Sequence, residues 1–117
     1  MEKQIFDLNE FLEEFEDSMD IMESMLPKFE QGIFDSIEKI DSLLLSGDSH
    51  GLAEELHSLK GMVGTLYSPL LTHLAQDMEQ DAKNSNNDNI PAKLLQFKEC
   101  FPKVVEAVGN VISKNAS

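Results

Sequence analysis

The chain has 117 residues, the length of one ordinary domain, which leaves no room for a second. Apolar residues make up 41% of it, so it is not compositionally disordered; with no Trp and one Tyr, its core must be mostly aliphatic with Phe and Met. Its 22 acidic and 9 basic residues leave a net charge of −13, which repels nucleic acid and anionic lipid because a phosphate-neutralising contact would have the wrong sign.

Cys100 is alone, so no intramolecular disulfide forms, which fits a reducing compartment. The opening Met1-Glu2-Lys3-Gln4-Ile5-Phe6 has no basic region followed by an apolar stretch and does not read as a signal peptide. No apolar run approaches the roughly 20 residues that span a bilayer. The expectation is a soluble, cytoplasmic, monomeric protein, one domain over residues 1–117 with its core at roughly 6–112.

Phe6, Leu8, Phe11, Leu12 and Phe15 predict a short first helix. Asp17 or Ser18 can cap the next, which carries Met22, Met25, Leu26, Phe29, Ile33, Ile37, Ile40 and Leu44 at spacings of three and four. Pro27 removes a backbone donor and should kink or split it; Gly47 supplies a stop. Asp48 or Ser49 caps a third helix with the stripe Leu52, Leu56, Leu59, Val63 and Leu66. Ser68-Pro69 opens a fourth, burying Leu70, Leu71, Leu74, Met78 and Ala82. A polar loop, residues 84–89, precedes Ile90-Pro91 and a last helix with Leu94, Phe97, Phe101, Val104, Val105, Val108 and Ile112. Pro102 should kink this helix, and residues 114–117 should fray. Nothing alternates like a strand. Four long amphipathic helices on short loops predict an all-α, antiparallel four-helix bundle with a short extra N-terminal helix.

The third helix has a second face. His57 follows Leu56 and is turned about 100° from it. His57, Lys60, Gly61 and Gly64 fall at i, i+3, i+4 and i+7, beside the leucine stripe. Each interior glycine costs roughly 1 kcal/mol relative to alanine, so something other than the helix must favour two of them. Glycine leaves room for another surface to approach closely. Neutral imidazole is a nucleophile that can hold a phosphoryl group as a phosphoramidate. Lys60 would offset the added charge, and Gly61 would leave the phosphoryl oxygens uncrowded. A carboxylate on a neighbouring helix would fix the ring's tautomer.

The segment His57-Ser58-Leu59-Lys60-Gly61, with Gly64 after it, resembles the signature of the histidine-containing phosphotransfer (HPt) domain of two-component phosphorelays. Phe6-Asp7-Leu8, Met25-Leu26-Pro27-Lys28-Phe29 and Leu44-Leu45-Ser46-Gly47-Asp48 resemble the family's opening, second-helix pattern and turn before the histidine helix. Leu74-Ala75-Gln76-Asp77-Met78-Glu79 resembles its later segment, so the resemblance gives Glu79 the role of hydrogen-bonding the imidazole. It implies a phosphorelay intermediate that is no enzyme: His57 accepts a phosphoryl group and exchanges it with an aspartate of a response-regulator receiver domain, or takes it from a histidine kinase. No cofactor of its own is implied, because the receiver brings the magnesium. Docking is expected on the surface of the second and third helices around His57, with Ser58, Met62 and Gly64 at the rim. Two positions depart from the family. Tyr67 stands where glycine is usual, so its ring must find a packing site. Leu56 stands where alanine is usual, and its larger side chain is expected to alter the docking rim.

The residues admit other readings. A non-catalytic adaptor would keep the bundle and dock a receiver or kinase without accepting phosphate. A chemotaxis-type kinase module is disfavoured by the missing dimerisation and ATP-binding regions. Glu54 and His57 form one Glu-x-x-His pair, but the second pair of a di-iron bundle is missing. The loop at 84–89 lacks the glycine and final Glu of a calcium loop. His50 and His73 read as ordinary surface or core histidines, Met19, Met22 and Met25 as core, Cys100 as a small buried hydrophobe, and the acidic run from Glu10 to Asp20 as a solvated face.

Overall fold

In the computed structural model, which describes residues 4–115, local chemistry sets most helix ends. Helix α1 (Leu8–Phe15) starts at Asp7, whose carboxylate accepts from the Glu10 amide at 3.1 Å. A single 3-10 turn (Glu16–Ser18) leads into α2 (Met19–Ser46). Ser18 precedes α2, but neither its side chain nor that of Asp17 accepts a capping bond as expected. The chain enters α2 from a turn rather than from the extended segment that a capping side chain serves.

Gly47 stops α2 in the left-handed conformation, φ 71°. Its amide reaches the Leu44 carbonyl at 3.3 Å and the Asp48 amide reaches that of Leu43 at 3.2 Å, the pair of bonds that closes a helix over glycine. Asp48 then caps α3 (Ser49–Gly64) by accepting from the Gly51 amide at 2.9 Å. Ser68 caps α4 (Pro69–Lys83) by accepting from the Leu71 amide at 3.1 Å. The polar loop is partly ordered: a 3-10 turn at Asn87–Asn89 lets the Asn87 side-chain Nδ2 donate to Ser49 Oγ at 2.9 Å. Helix α5 (Ile90–Asn115) follows.

Neither proline splits its helix: α2 runs through Pro27 and α5 through Pro102. Both prolines are exposed, as are Glu23 and Lys98 four residues before them, so the carbonyls that lose a donor lie on the solvent side. For the first half of the tail the expected fraying is not seen, since Lys114 and Asn115 remain helical and Asn115 donates to the Val111 carbonyl. Residues 116–117 of that tail, and residues 1–3 of the N-terminal segment, lie outside the described residues.

Helix α3 packs on α2 and α4, and α5 closes the bundle against both of these. The connections between α2, α3, α4 and α5 are too short to run back along a helix, so these four helices alternate in direction. Leu52, Leu56, Leu59, Val63 and Leu66 are all fully buried, which sets the rotation of α3. Met19, Met22 and Cys100 are buried too. The acidic residues from Glu10 to Asp20 face solvent. Among the described residues, no helix is long and apolar enough to cross a membrane.

Tyr67 adopts the glycine-like conformation itself, with φ 54°. Left-handed backbone costs an L-residue roughly 1–2 kcal/mol. Its ring stands edge-on to Phe11 and Phe15, at centroid distances of 6.2 and 5.8 Å, and such pairs contribute about 0.5–1.5 kcal/mol each. Its carbonyl accepts from the Asp7 amide at 2.8 Å, tying the start of α1 to the α3–α4 turn. The packing therefore offsets the backbone cost. Leu56 points into the core with no exposed surface, so the expected change at the docking rim does not arise from it.

Candidate functional site

Because the leucines of α3 face inward, the next face round the helix is open. His57, Ser58, Gly61 and Gly64 are exposed there and Lys60 is half-buried. Helix α4 lies alongside and carries Glu79 next to the fully buried Met78. The Glu79 side chain is 3% exposed, yet it reaches the edge of this face, where its carboxylate meets three cationic or hydrogen-bonding groups.

Nδ1 of His57 lies 3.1 Å from Oε2 of Glu79. Lys60 Nζ stands 3.0 Å from Oε1, off the direction of an aligned hydrogen bond. Lys83 Nζ stands 3.1 Å from Oε2. Burial pushes the Glu79 carboxyl up, but Lys60 and Lys83 outweigh it and hold the group below the usual carboxylate range. An ionised carboxylate only accepts, so it places the imidazole proton on Nδ1 and leaves the lone pair on Nε2. With the ring 69% exposed and Nδ1 turned to Glu79, Nε2 is the nitrogen open to another molecule.

All three histidines have a carboxylate neighbour, so that alone does not single out His57. His50 pairs with Glu54 and His73 with Asp77, each one turn along its own helix. Those carboxylates are 69% and 42% exposed and free to move, whereas Glu79 is buried and comes from a second helix. Only the His57 ring is held by a fixed acceptor.

A Cβ built on Gly61 or Gly64 would meet no atom of the chain within 4 Å. Internal packing therefore does not require glycine at either position. Met62 is half-buried and leans over Gly32 of α2, where an added Cβ would lie 3.3 Å from its sulfur. Of the three rim residues expected from the sequence, Ser58 and Gly64 are thus open and Met62 is partly engaged with α2. Among the described residues, no three His, Cys, Asp or Glu side chains come together as a metal-binding group.

One member of the cluster escaped the sequence reading. Lys83 follows Glu79 by four residues, a spacing that marks helical ion pairs, but it was not connected to His57. It also lines an open groove of about 520 Å³ between α3 and α4, together with His50, Ala53, Glu54, His57 and Glu79.

The architecture and the motif have matches among known proteins. The crystal structure of histidine-containing phosphotransfer protein B (HptB) from Pseudomonas aeruginosa PAO1 superposes with a TM-score of 0.85 at 20% identity, covering 94% of this chain and 96% of that one, which establishes the helical-bundle fold. No curated protein matches by sequence. The Hpt domain family model matches residues 8–108, which takes in α1, the His57 face and Glu79. With that span matched and the bundle in place, the chain belongs to the Hpt domain family, the phosphotransfer modules of two-component phosphorelays.

Proposed function

We propose that this protein is a phosphocarrier whose acceptor atom is Nε2 of His57. The observation that carries the reading is the exposed imidazole with Nδ1 held by the buried carboxylate of Glu79. The lone pair of Nε2 attacks the phosphorus of an aspartyl phosphate on a receiver domain. An N–P bond forms, the O–P bond to the aspartate breaks, and the carboxylate leaves with the electron pair. The ring then carries a positive charge shared over both nitrogens, and Nδ1–H donates to Glu79, which stabilises it. The reverse reaction delivers the group to another receiver. Lys60 can offset the phosphoryl charge, and Gly61 and Gly64 keep the approach clear. The receiver supplies the magnesium, and a histidine kinase can stand in as donor. The chain acts as their substrate, as a monomer in the cytoplasm, docking through the surface around His57 that includes Ser58, Met62 and Gly64.

Incubation with a phosphorylated receiver, or with a histidine kinase and radiolabelled ATP, is expected to give an acid-labile, base-stable label on the protein. Persistent absence of label with several cognate partners would leave the adaptor reading in its place.

Glu79→Ala is expected to slow transfer more than it lowers stability. A group that orients a functional imidazole is worth about 10–100-fold at metal-bound histidines, and the same scale applies here. Removing one partner of a buried ion pair can cost about 3–5 kcal/mol when a buried charge is stranded. The charges left here belong to Lys60 and Lys83, which are 30% and 52% exposed and can turn to water, so the loss should be smaller. The sign with pH follows from the lowered carboxyl of Glu79. Its contribution is fully present above the unfolded value of about 4.3 and disappears as pH falls through the lower folded value. Unfolding of parent and variant should therefore converge in acid. Unchanged transfer rates, or a stability gap that persists in strong acid, would refute the assignment.

A further inference from the structure

The carboxylate that holds the imidazole is shared. Oε2 of Glu79 receives His57 Nδ1 at 3.1 Å and Lys83 Nζ at 3.1 Å, while Oε1 faces Lys60 at 3.0 Å. A Glu–Lys pair one turn apart on a helix surface is ordinarily a minor stabiliser. This one differs because the carboxylate is buried and its other contact on the same oxygen is the ring proposed to carry phosphate.

A lone buried carboxylate beside an imidazole does two opposed things. It fixes the proton on Nδ1, which suits a nucleophilic Nε2. It also favours the doubly protonated ring, which has no lone pair to attack with. The two lysines separate these effects. They leave Oε2 in place as an acceptor while cancelling the negative charge that would favour imidazolium. Glu79, Lys60 and Lys83 together are net positive, so the ring's orienting bond comes without an unbalanced negative charge on its acceptor.

The remaining charged groups lie outside this cluster. On α3, Glu54 lines the groove and contacts His50, and it pairs with neither Lys60 nor Lys83. From α2, Lys39 is engaged with Glu55 at 3.2 Å. From α5, Lys93 is engaged with Asp81 at 2.6 Å. Lys83 is thus the cation on the groove side of the ring that shares its acceptor atom.

We propose that Lys83 is a positioning residue of the phosphoacceptor site, keeping Glu79 bonded to Nδ1 of His57 and offsetting the carboxylate's charge beside the ring. This deepens the phosphocarrier reading and rests on it.

The test compares the full-length parent with Lys83→Gln and Lys83→Arg. Lys83 is half-exposed, so the variants should fold, with circular dichroism as the check. NMR of the imidazole nitrogens across pH, on the free protein, follows the ring without any partner. In Lys83→Gln the imidazolium form is expected to appear at higher pH than in the parent, and Lys83→Arg should stay close to the parent. Transfer from a phosphorylated receiver domain to Lys83→Gln should fall about tenfold at pH 6 and less than about twofold at pH 9, since an unbalanced charge within hydrogen-bonding range typically moves a titration by about one unit or more. A ring in Lys83→Gln that ionises like the parent's, or a rate loss equal at both pH values, would overturn the proposal. Failure of the parent itself to take a label would instead count against the phosphocarrier reading, and the NMR comparison would still decide whether Lys83 governs the ring.

Discussion

His57→Gln is expected to abolish the acid-labile label while leaving thermal unfolding nearly unchanged. The side chain is 69% exposed and contributes nothing to the core. Surface substitutions of this kind usually stay within about 0.5 kcal/mol. Gln can still donate to Glu79 from its amide, and the carboxylate keeps both lysines, so no buried charge is stranded. The two readouts therefore separate chemistry from folding. A variant that still takes an acid-labile label would move the acceptor to His50 or His73. Those rings are 88% and 46% exposed, but only mobile carboxylates hold them.

Gly61→Gln should raise stability while blocking transfer. Nothing in the chain lies within 4 Å of a Cβ at position 61, so the substitution meets no internal clash. Replacing an interior helical glycine removes a penalty of up to about 1 kcal/mol. The melting temperature should rise. The new side chain projects from the His57 face, where a receiver must approach closely enough to bring an aspartate to Nε2. Any overlap costing more than about 1.4 kcal/mol weakens docking tenfold or more. Gly61→Ala is the matched control, with the full helix gain and far less bulk. Normal phosphate exchange by Gly61→Gln, measured against the same receiver, would show that clearance is not what position 61 provides.

The opposed signs expected for Gly61 show how this face is built. The helix is weakened locally, and no contact inside the molecule compensates. On the phosphocarrier reading the benefit lies outside the chain, and the sequence could point to it: two glycines one turn apart in a helix that does not need them, beside a histidine and a lysine. Tyr67 is the contrary case. Glycine's absence there leaves a ring that must find a packing site, and the chain keeps the left-handed conformation and lets Phe11 and Phe15 hold the ring. For Leu56 only the expected effect on the docking rim fails: the residue is buried in the stripe where the pattern puts it, and a step of one residue on the helix separates it from the His57 face.

What the sequence determined by itself was whatever depends on near neighbours in the chain. The leucine stripe set the buried side of α3 and, with it, the open face of His57, Lys60, Gly61 and Gly64. Gly47, Asp48 and Ser68 marked helix ends correctly because capping is completed within a few residues. The motif at His57 and the glutamate at 79 named the family. The tertiary structure decided what depends on which side chains meet across helices. It kept α2 and α5 whole through Pro27 and Pro102, where packing of long apolar stripes and solvent on the proline side outweigh a missing donor. It buried Glu79 while leaving the other histidines' carboxylates exposed, a difference of environment that spacing cannot express. It also brought Lys83 to the same oxygen as His57. Residue 83 lies 26 positions away in the chain, and only the packing of α4 against α3 places the two around one carboxylate.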